Sequence, residues 1–234
     1  MFFFLRLILT LLFFVNFAFA SSTSSHSVIG EKITQCANKF IGTPYDTNPI
    51  GEYVFQNVII YDEKVDCMYF VFRCTEIALS NKENSPEQIA LSQRFHTLGI
   101  ISNGVVLNYQ DRFSYADDII LSSKWGIDVS PMIGKISKIE GTRGVSFFNF
   151  VAKNDINLQN FKNGDIIFFV KAKEKRVADE VVGHLGFIEV KNDNVYLIHA
   201  SGVKKPETNG SIKKVLLSDY LNQTKFIGIV VKRF

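Results

Sequence analysis

The chain has 234 residues, of which 47% are hydrophobic and 21% charged, and its net charge is +3. That composition excludes a disordered tail, a collagen-like repeat and a disulfide-stapled miniprotein, and it suits one folded domain. The densest basic run, Lys171 to Arg176, is broken by Ala172 and Glu174, the pattern of a solvated strand end rather than a nucleic-acid footprint.

Seventeen of the first twenty residues are hydrophobic, and Arg6 is their only charge. With Leu7 to Val15 apolar and Ala18-Phe19-Ala20 as a small-x-small cleavage site, residues 1–20 read as a secretory signal removed before Ser21. An uncleaved anchor is the competing reading, but Ala18 to Ser25 is small and polar, unlike the flank of a stable span. The mature chain is therefore expected to be periplasmic or secreted, with no stable membrane span after cleavage. Residues 21–27 form a Ser-rich linker that contains His26. No repeat or second linker interrupts the remainder of the chain, so a single domain is expected from 28 to 234.

Within that domain, Glu31 to Ile41 has helical spacing and stops at Gly42-Thr43-Pro44. Asn57 to Tyr61 is a short apolar run that predicts a strand. Asp66 then precedes Cys67 to Ser80, apolar on all sides, which predicts a buried central helix. Ser85-Pro86-Glu87-Gln88 combines an N-cap, a Pro at the first helical position and a capping-box Gln, so a surface helix is expected from Pro86 to Leu98, ending at Gly99. An irregular middle containing Trp125 comes next. From Gly164 onward strand signals dominate: Asp165 to Val170, His184 to Val190, Val195 to Ala200 and Phe226 to Lys232, with Asn192-Asp193-Asn194 as a turn, together predicting an antiparallel meander. Helices first and strands later point to an α+β architecture in which the Cys67 helix packs on the sheet.

Three cysteines, Cys36, Cys67 and Cys74, leave an odd thiol in an oxidising compartment. Cys67 and Cys74 are separated by roughly 10 Å along one helix, too far to bridge. Any disulfide must therefore include Cys36, whose place on the stripe Ile33, Ala37, Phe40 also suits a buried thiol. Cys67 opens its helix, where unpaired amides and the positive end of the helix dipole favour an anion, and a neighbouring imidazolium would lower its pKa further. Of the four histidines, His26 lies in the linker and His96 beside Gln93 and Arg94 on the surface helix. His184 and His199 fall on successive strands, and an even-length loop between them puts both on one sheet face, diagonal to each other if the turn is Asn192-Asp193. A nucleophile, a base and an orienting group are what acyl transfer by a thiol requires. Gly183, Gly186 and Gly202 beside them would let a ligand approach the backbone. Zinc held by Cys67, His184 and His199 is chemically possible but lacks close-spaced ligand pairs. Asp117 and Asp118 are adjacent in sequence and read as a surface turn rather than a glycosidase pair. No metal or cofactor is expected.

Gly42-Thr43-Pro44-Tyr45, Glu52, Asp66-Cys67-x-x-Phe70-Val71, Gly164-Asp165, Gly183-His184-x-Gly186 and His199-Ala200-Ser201 together resemble the N-acetylmuramoyl-L-alanine amidase-like proteins, relatives of the NlpC-type cell-wall cysteine peptidases. The match spans roughly Lys39 to Arg233. The resemblance implies a papain-like α+β fold with the nucleophile at the start of a central helix. It makes Cys67 the nucleophile, His184 the general base and His199 its orienting partner, and it places Tyr45, Asp66, Arg112 and Tyr115 in substrate binding. Departures stand at Tyr69 and Phe72, where the family has Thr and Glu, and in Arg112-Phe113-Ser114-Tyr115 and Ile119, where it has a His and a Trp. The implied partner is peptidoglycan or a muropeptide, cut at the lactyl to L-alanine amide. Cleavage between D-glutamate and diaminopimelate, acyl transfer to another acceptor, or binding of wall fragments without cleavage are the alternatives.

Overall fold

The computed structural model describes residues 28–177, 179–202 and 210–234; the expected signal and linker, with His26, lie outside them. Helix α1 covers residues 28–39 and buries Ile33, Cys36 and Ala37. A single turn, α2 (Glu52–Phe55), precedes the central helix α3 (Cys67–Leu79), which starts because the Asp66 carboxylate accepts the Tyr69 N–H at 2.6 Å. Its Phe70, Val71, Phe72 and Cys74 are all buried, as an apolar circumference requires. Helix α4 (Pro86–Gln93) carries the expected capping box at Ser85 and Gln88.

Two elements depart from the sequence expectations here. Residues 57–61 form no strand. Asn57 has φ 57°, and isolated bonds replace a strand ladder: the Val58 N–H donates to the Tyr53 carbonyl, Tyr109 Oη donates to the Val58 carbonyl, Arg94 to that of Ile59, and the Tyr61 N–H donates to Tyr69 Oη. Buried backbone must be paired, and here it is paired without a ladder. Helix α4 stops five residues early because Arg94 turns inward rather than facing solvent. It is 1% exposed, and its guanidinium makes two bonds to the buried Glu76 carboxylate, at 2.5 and 2.6 Å.

The middle of the chain is less irregular than its sequence suggests. It holds a small hairpin, β1 (Ile101–Ser102) and β2 (Val105–Val106), then α5 (Ala116–Leu121), β3 (Ile127–Asp128), α6 (Ser130–Ile133), β4 (Ile136–Glu140) and β5 (Phe147–Ala152). Trp125 is fully buried. After these come β6 (Ile166–Val170), β7 (Val182–Lys191), β8 (Asn194–Ser201), β9 (Ser211–Leu216), α7 (Leu217–Gln223) and β10 (Gly228–Arg233). The main sheet runs β4-β5-β10-β6-β7-β8-β9, antiparallel throughout, with β3 pairing the end of β10. The expected meander is thus real from β6 to β8 and continues into β9. The last strand, however, returns to lie between β5 and β6 rather than extending the meander.

Both faces of the sheet are covered. On β6, Ile166, Phe168 and Val170 point into the core shared with α1 and α3, while Ile167 and Phe169 point into a second core beneath α6 and α7. This is an α+β fold of helices on an antiparallel sheet. Among the described residues, no helix is long and apolar enough to cross a membrane.

Candidate active site

The first half of the site is the start of α3. Cys67 is the first helical residue, and the backbone amides of Leu185, Cys67 and Met68 favour a charge on its sulfur. These amides lower its pKa, but burial and the adjacent Asp66 outweigh them and push the thiol up to about 12. The sequence expectation of a readily formed thiolate is therefore corrected. The helix terminus does favour an anion, but the loss of solvent and a neighbouring carboxylate favour the proton more. Asp66 is itself raised to about 6, by burial and by Asp46, against the pull of the Tyr69 and Met68 amides.

The second half is the β7–β8 hairpin. Its turn is Asn192-Asp193, both with positive φ (50° and 60°), and it pairs Lys191 with Asn194. Two left-handed residues in a two-residue loop match strand twist, and Asn and Asp tolerate that conformation best after Gly. That register puts His184 and His199 on one face and diagonal, as expected. Pairing between the strands ends at Phe187 and Ile198; beyond it β7 stays with β6 and residues 199–201 stay with β9. Across the opening, His184 Nε2 and His199 Nδ1 lie 2.7 Å apart in a hydrogen bond. Each nitrogen is turned to the other rather than toward a shared ion, which argues against the zinc arrangement.

Gly186 has a different task from the one expected. A Cβ there would stand 2.6 Å from the Ile198 carbonyl oxygen and 3.0 Å from the His199 Cβ, so the missing side chain makes room for the histidine strand rather than for a ligand. Gly202 leaves room for the Tyr45 ring, 3.4 Å from where its Cβ would be. His184 lies over Phe169, ring centres 6.0 Å apart and nearly parallel, and burial together with His199 lowers it to about 3.

Tyr220 on α7 was invisible to sequence reasoning. Its ring centre is 5.0 Å from that of His199 and 6.2 Å from that of His184, and its phenol is close enough to Cys67 for a thiolate there to raise it. The available signal was the spacing of Leu217, Tyr220 and Leu221, one helical face in a stretch that lies between two strands. Tyr45, Gly183, His184, His199 and Tyr220 line a cleft of about 470 Å³. Tyr45 also lines a second cleft of about 450 Å³ that includes Lys64, and burial, with Cys67 next, raises its phenol.

Tyr45 and Tyr220 relate the two halves: Cys67 raises both phenols, and both tyrosines line the cleft of His184 and His199. Arg112 donates to the Tyr109 carbonyl at 3.1 Å and Tyr115 lies under Arg143 at 3.9 Å, and neither lines the two clefts at Tyr45. Two departures from the family pattern are core residues, since Tyr69 and Phe72 pack around Arg94, whereas Ser114 is exposed. Asp117 is no surface residue; it is buried, and Arg143 pairs with both it and Asp118. His96 is exposed, as expected, with its ring against Phe113.

No family model and no curated protein matches this sequence. Solved structures do. An N-acetylmuramoyl-L-alanine amidase from Bacteroides uniformis superposes with a TM-score of 0.66 at 18% identity, covering 88% of this chain and 99% of the other. The fold of this chain is the fold of that amidase. A Bacteroides fragilis protein provisionally named a xylanase gives 0.65 at 20% identity over 86% and 100% of the two chains. A Legionella pneumophila protein gives 0.63 at 16% over 90% of each. One architecture under such different names carries shape and no chemistry.

Proposed function

We propose that the protein is an exported cysteine hydrolase of the papain-like, NlpC-related type that cuts the amide between the lactyl carbonyl of N-acetylmuramic acid and L-alanine in peptidoglycan or its fragments. The observation that carries this reading is the histidine pair bonded at 2.7 Å, in a cleft lined by Tyr45 and Tyr220, whose phenols are both raised by Cys67 at the first position of α3. The choice of bond follows from the resemblance of the motifs around Cys67, His184 and His199, and the Bacteroides uniformis amidase shares the fold.

With Nε2 of His184 given to His199, Nδ1 is the nitrogen left for the thiol. Because the thiol and the imidazole are both neutral, His184 accepts the Cys67 proton as the sulfur attacks the carbonyl carbon. The Cys67 backbone N–H, at the positive end of α3, holds the developing oxyanion, and Tyr45 is placed to assist. His184 then delivers its proton to the leaving amine, and water attacking the thioester regenerates the thiol. Two clefts meet at Tyr45, one lined by the histidine pair and the other including Lys64.

A second reading, a wall-fragment binder that does not cut, draws on the neutral thiol and imidazole. Mass spectrometry of muropeptides incubated with the protein separates the possibilities. Release of the intact stem peptide is expected, and it should vanish in Cys67→Ser. A stem severed after D-glutamate would instead indicate the endopeptidase reaction, and unchanged muropeptides would leave the binder.

A further inference from the structure

The mechanism uses one cysteine of three. Cys36 and Cys74 are both buried free thiols in the core between α1 and α3. At the end of α1, Phe40 meets Phe70 of α3 with ring centres 5.9 Å apart. Cys36 lies four residues before Phe40, and Cys74 four residues after Phe70. Four residues is about one helical turn, so each cysteine shares a face with its phenylalanine. That ring contact, together with the closeness of Cys36 to Cys74, sets the helices antiparallel, with the two cysteines facing each other on the next rung. Burial raises the Cys74 thiol, and the nearby Cys36 thiol raises it further.

We propose that Cys36 and Cys74 are joined by a disulfide when the protein folds in an oxidising compartment, tying α1 to α3 and leaving Cys67 as the single thiol. The chemistry is thiol–disulfide exchange with a protein or low-molecular-weight disulfide. One cysteine thiolate forms a mixed disulfide with the oxidant, and the second displaces it. The new S–S bond costs the pair two protons and two electrons, and the oxidant leaves as two thiols. Both sulfurs are enclosed in the finished fold, so exchange takes place on the folding chain before the core closes. Once α3 has formed, Cys36 beside Cys74 is out of reach of Cys67, because roughly 10 Å of helix separates Cys67 from Cys74. The bond constrains the unfolded chain and fixes, two turns down the same helix, the element that holds Cys67.

The test uses the full chain, recovered from an oxidising compartment or refolded with glutathione disulfide, then denatured and alkylated with iodoacetamide without reduction. Peptide mapping is expected to find Cys67 alkylated and the Cys36 and Cys74 peptides linked. Alkylated Cys36 and Cys74 in soluble folded protein, or a link to Cys67, would overturn the proposal. In a Cys67→Ser background, reductant should lower Tm by about 5–10 °C; an unchanged Tm counts against the bond. Cys36→Ser should remove the reductant effect, and should that variant fail to fold, the peptide map of the unaltered chain still decides. None of these readouts depends on hydrolytic activity.

Discussion

At the scale of single residues the site is defined by what burial does to charge. Water stabilises a thiolate and an imidazolium, and this pocket removes it, raising Cys67 to about 12 and lowering His184 to about 3. Alkylation of Cys67 by iodoacetamide should therefore accelerate with pH through the ordinary thiol value of 9.0 and toward 12. A plateau near neutrality would show a preformed thiolate and overturn this account of the resting state. Tyr220 offers a second test, since its ring closes over both imidazoles. Tyr220→Phe keeps that ring and should hold activity within a few-fold. Tyr220→Ala admits water, so the His184 pKa, followed by NMR, should rise toward the ordinary imidazole value while turnover falls on the order of 10- to 100-fold. If the alanine variant leaves the His184 titration unmoved, the tyrosine is only packing. The cysteine and both histidines were legible in sequence because a helix start and strand parity are local patterns. Tyr220 was not, because nothing local says which strand a short helix will cover.

At the scale of elements, the parts that sequence misjudged are those whose partners lie far along the chain. Helix α4 was expected to run to Leu98 on its capping box and periodicity, but a buried carboxylate eighteen positions upstream takes Arg94 out of the helical pattern. Residues 57–61 have strand composition, but their backbone meets side chains from α3, from Arg94 just past the end of α4 and from the segment after β2. The Arg94 and Glu76 pair is almost fully enclosed, so Arg94→Leu should destabilise the protein by about 3–5 kcal/mol by stranding a buried carboxylate. Replacing Glu76 with Met as well should recover much of that loss, and urea unfolding of the single and double variants measures both. No recovery would mean that the cost is lost packing on Tyr53 and Tyr69 rather than the orphaned charge. Gly186 belongs to the same scale, since it sets how closely two strands approach. Gly186→Ala would press a methyl to 2.6 Å from the Ile198 carbonyl, and either the backbone shifts or the histidine pair opens. A loss of about 1–3 kcal/mol is expected, together with a measurable rise in the His184 pKa as its partner moves away.

For the whole molecule, sequence order separated helices from strands and so gave the layers, but not the closure of the sheet. No local signal tells Gly228–Arg233 to pair with β5 and β6 rather than with its nearer neighbour β9, because that choice depends on which edge remains unpaired once the meander has formed. The result is a sheet covered on both faces that parts between β7 and β8, and in the candidate site two buried ionisable groups are pushed in opposite directions. His184 falls from 6.5 to about 3, so the unfolded chain binds its proton first. Its contribution to stability is present above 6.5 and is lost as pH falls toward 3. Asp66 rises from 3.8 to about 6, so here the folded chain binds the proton first. Its contribution is present below 3.8 and is lost as pH rises toward 6. Between roughly pH 4 and 6 the two slopes oppose each other, each worth about 1.4 kcal/mol per pH unit for one whole proton. Asp66→Asn should therefore steepen the loss of stability on acidification in that window, and His184→Gln should flatten or reverse it. Urea unfolding at intervals from about pH 3.5 to about pH 7 reads both slopes. Identical pH dependence in the two variants and the unaltered chain would show that neither group is as enclosed as the candidate site implies.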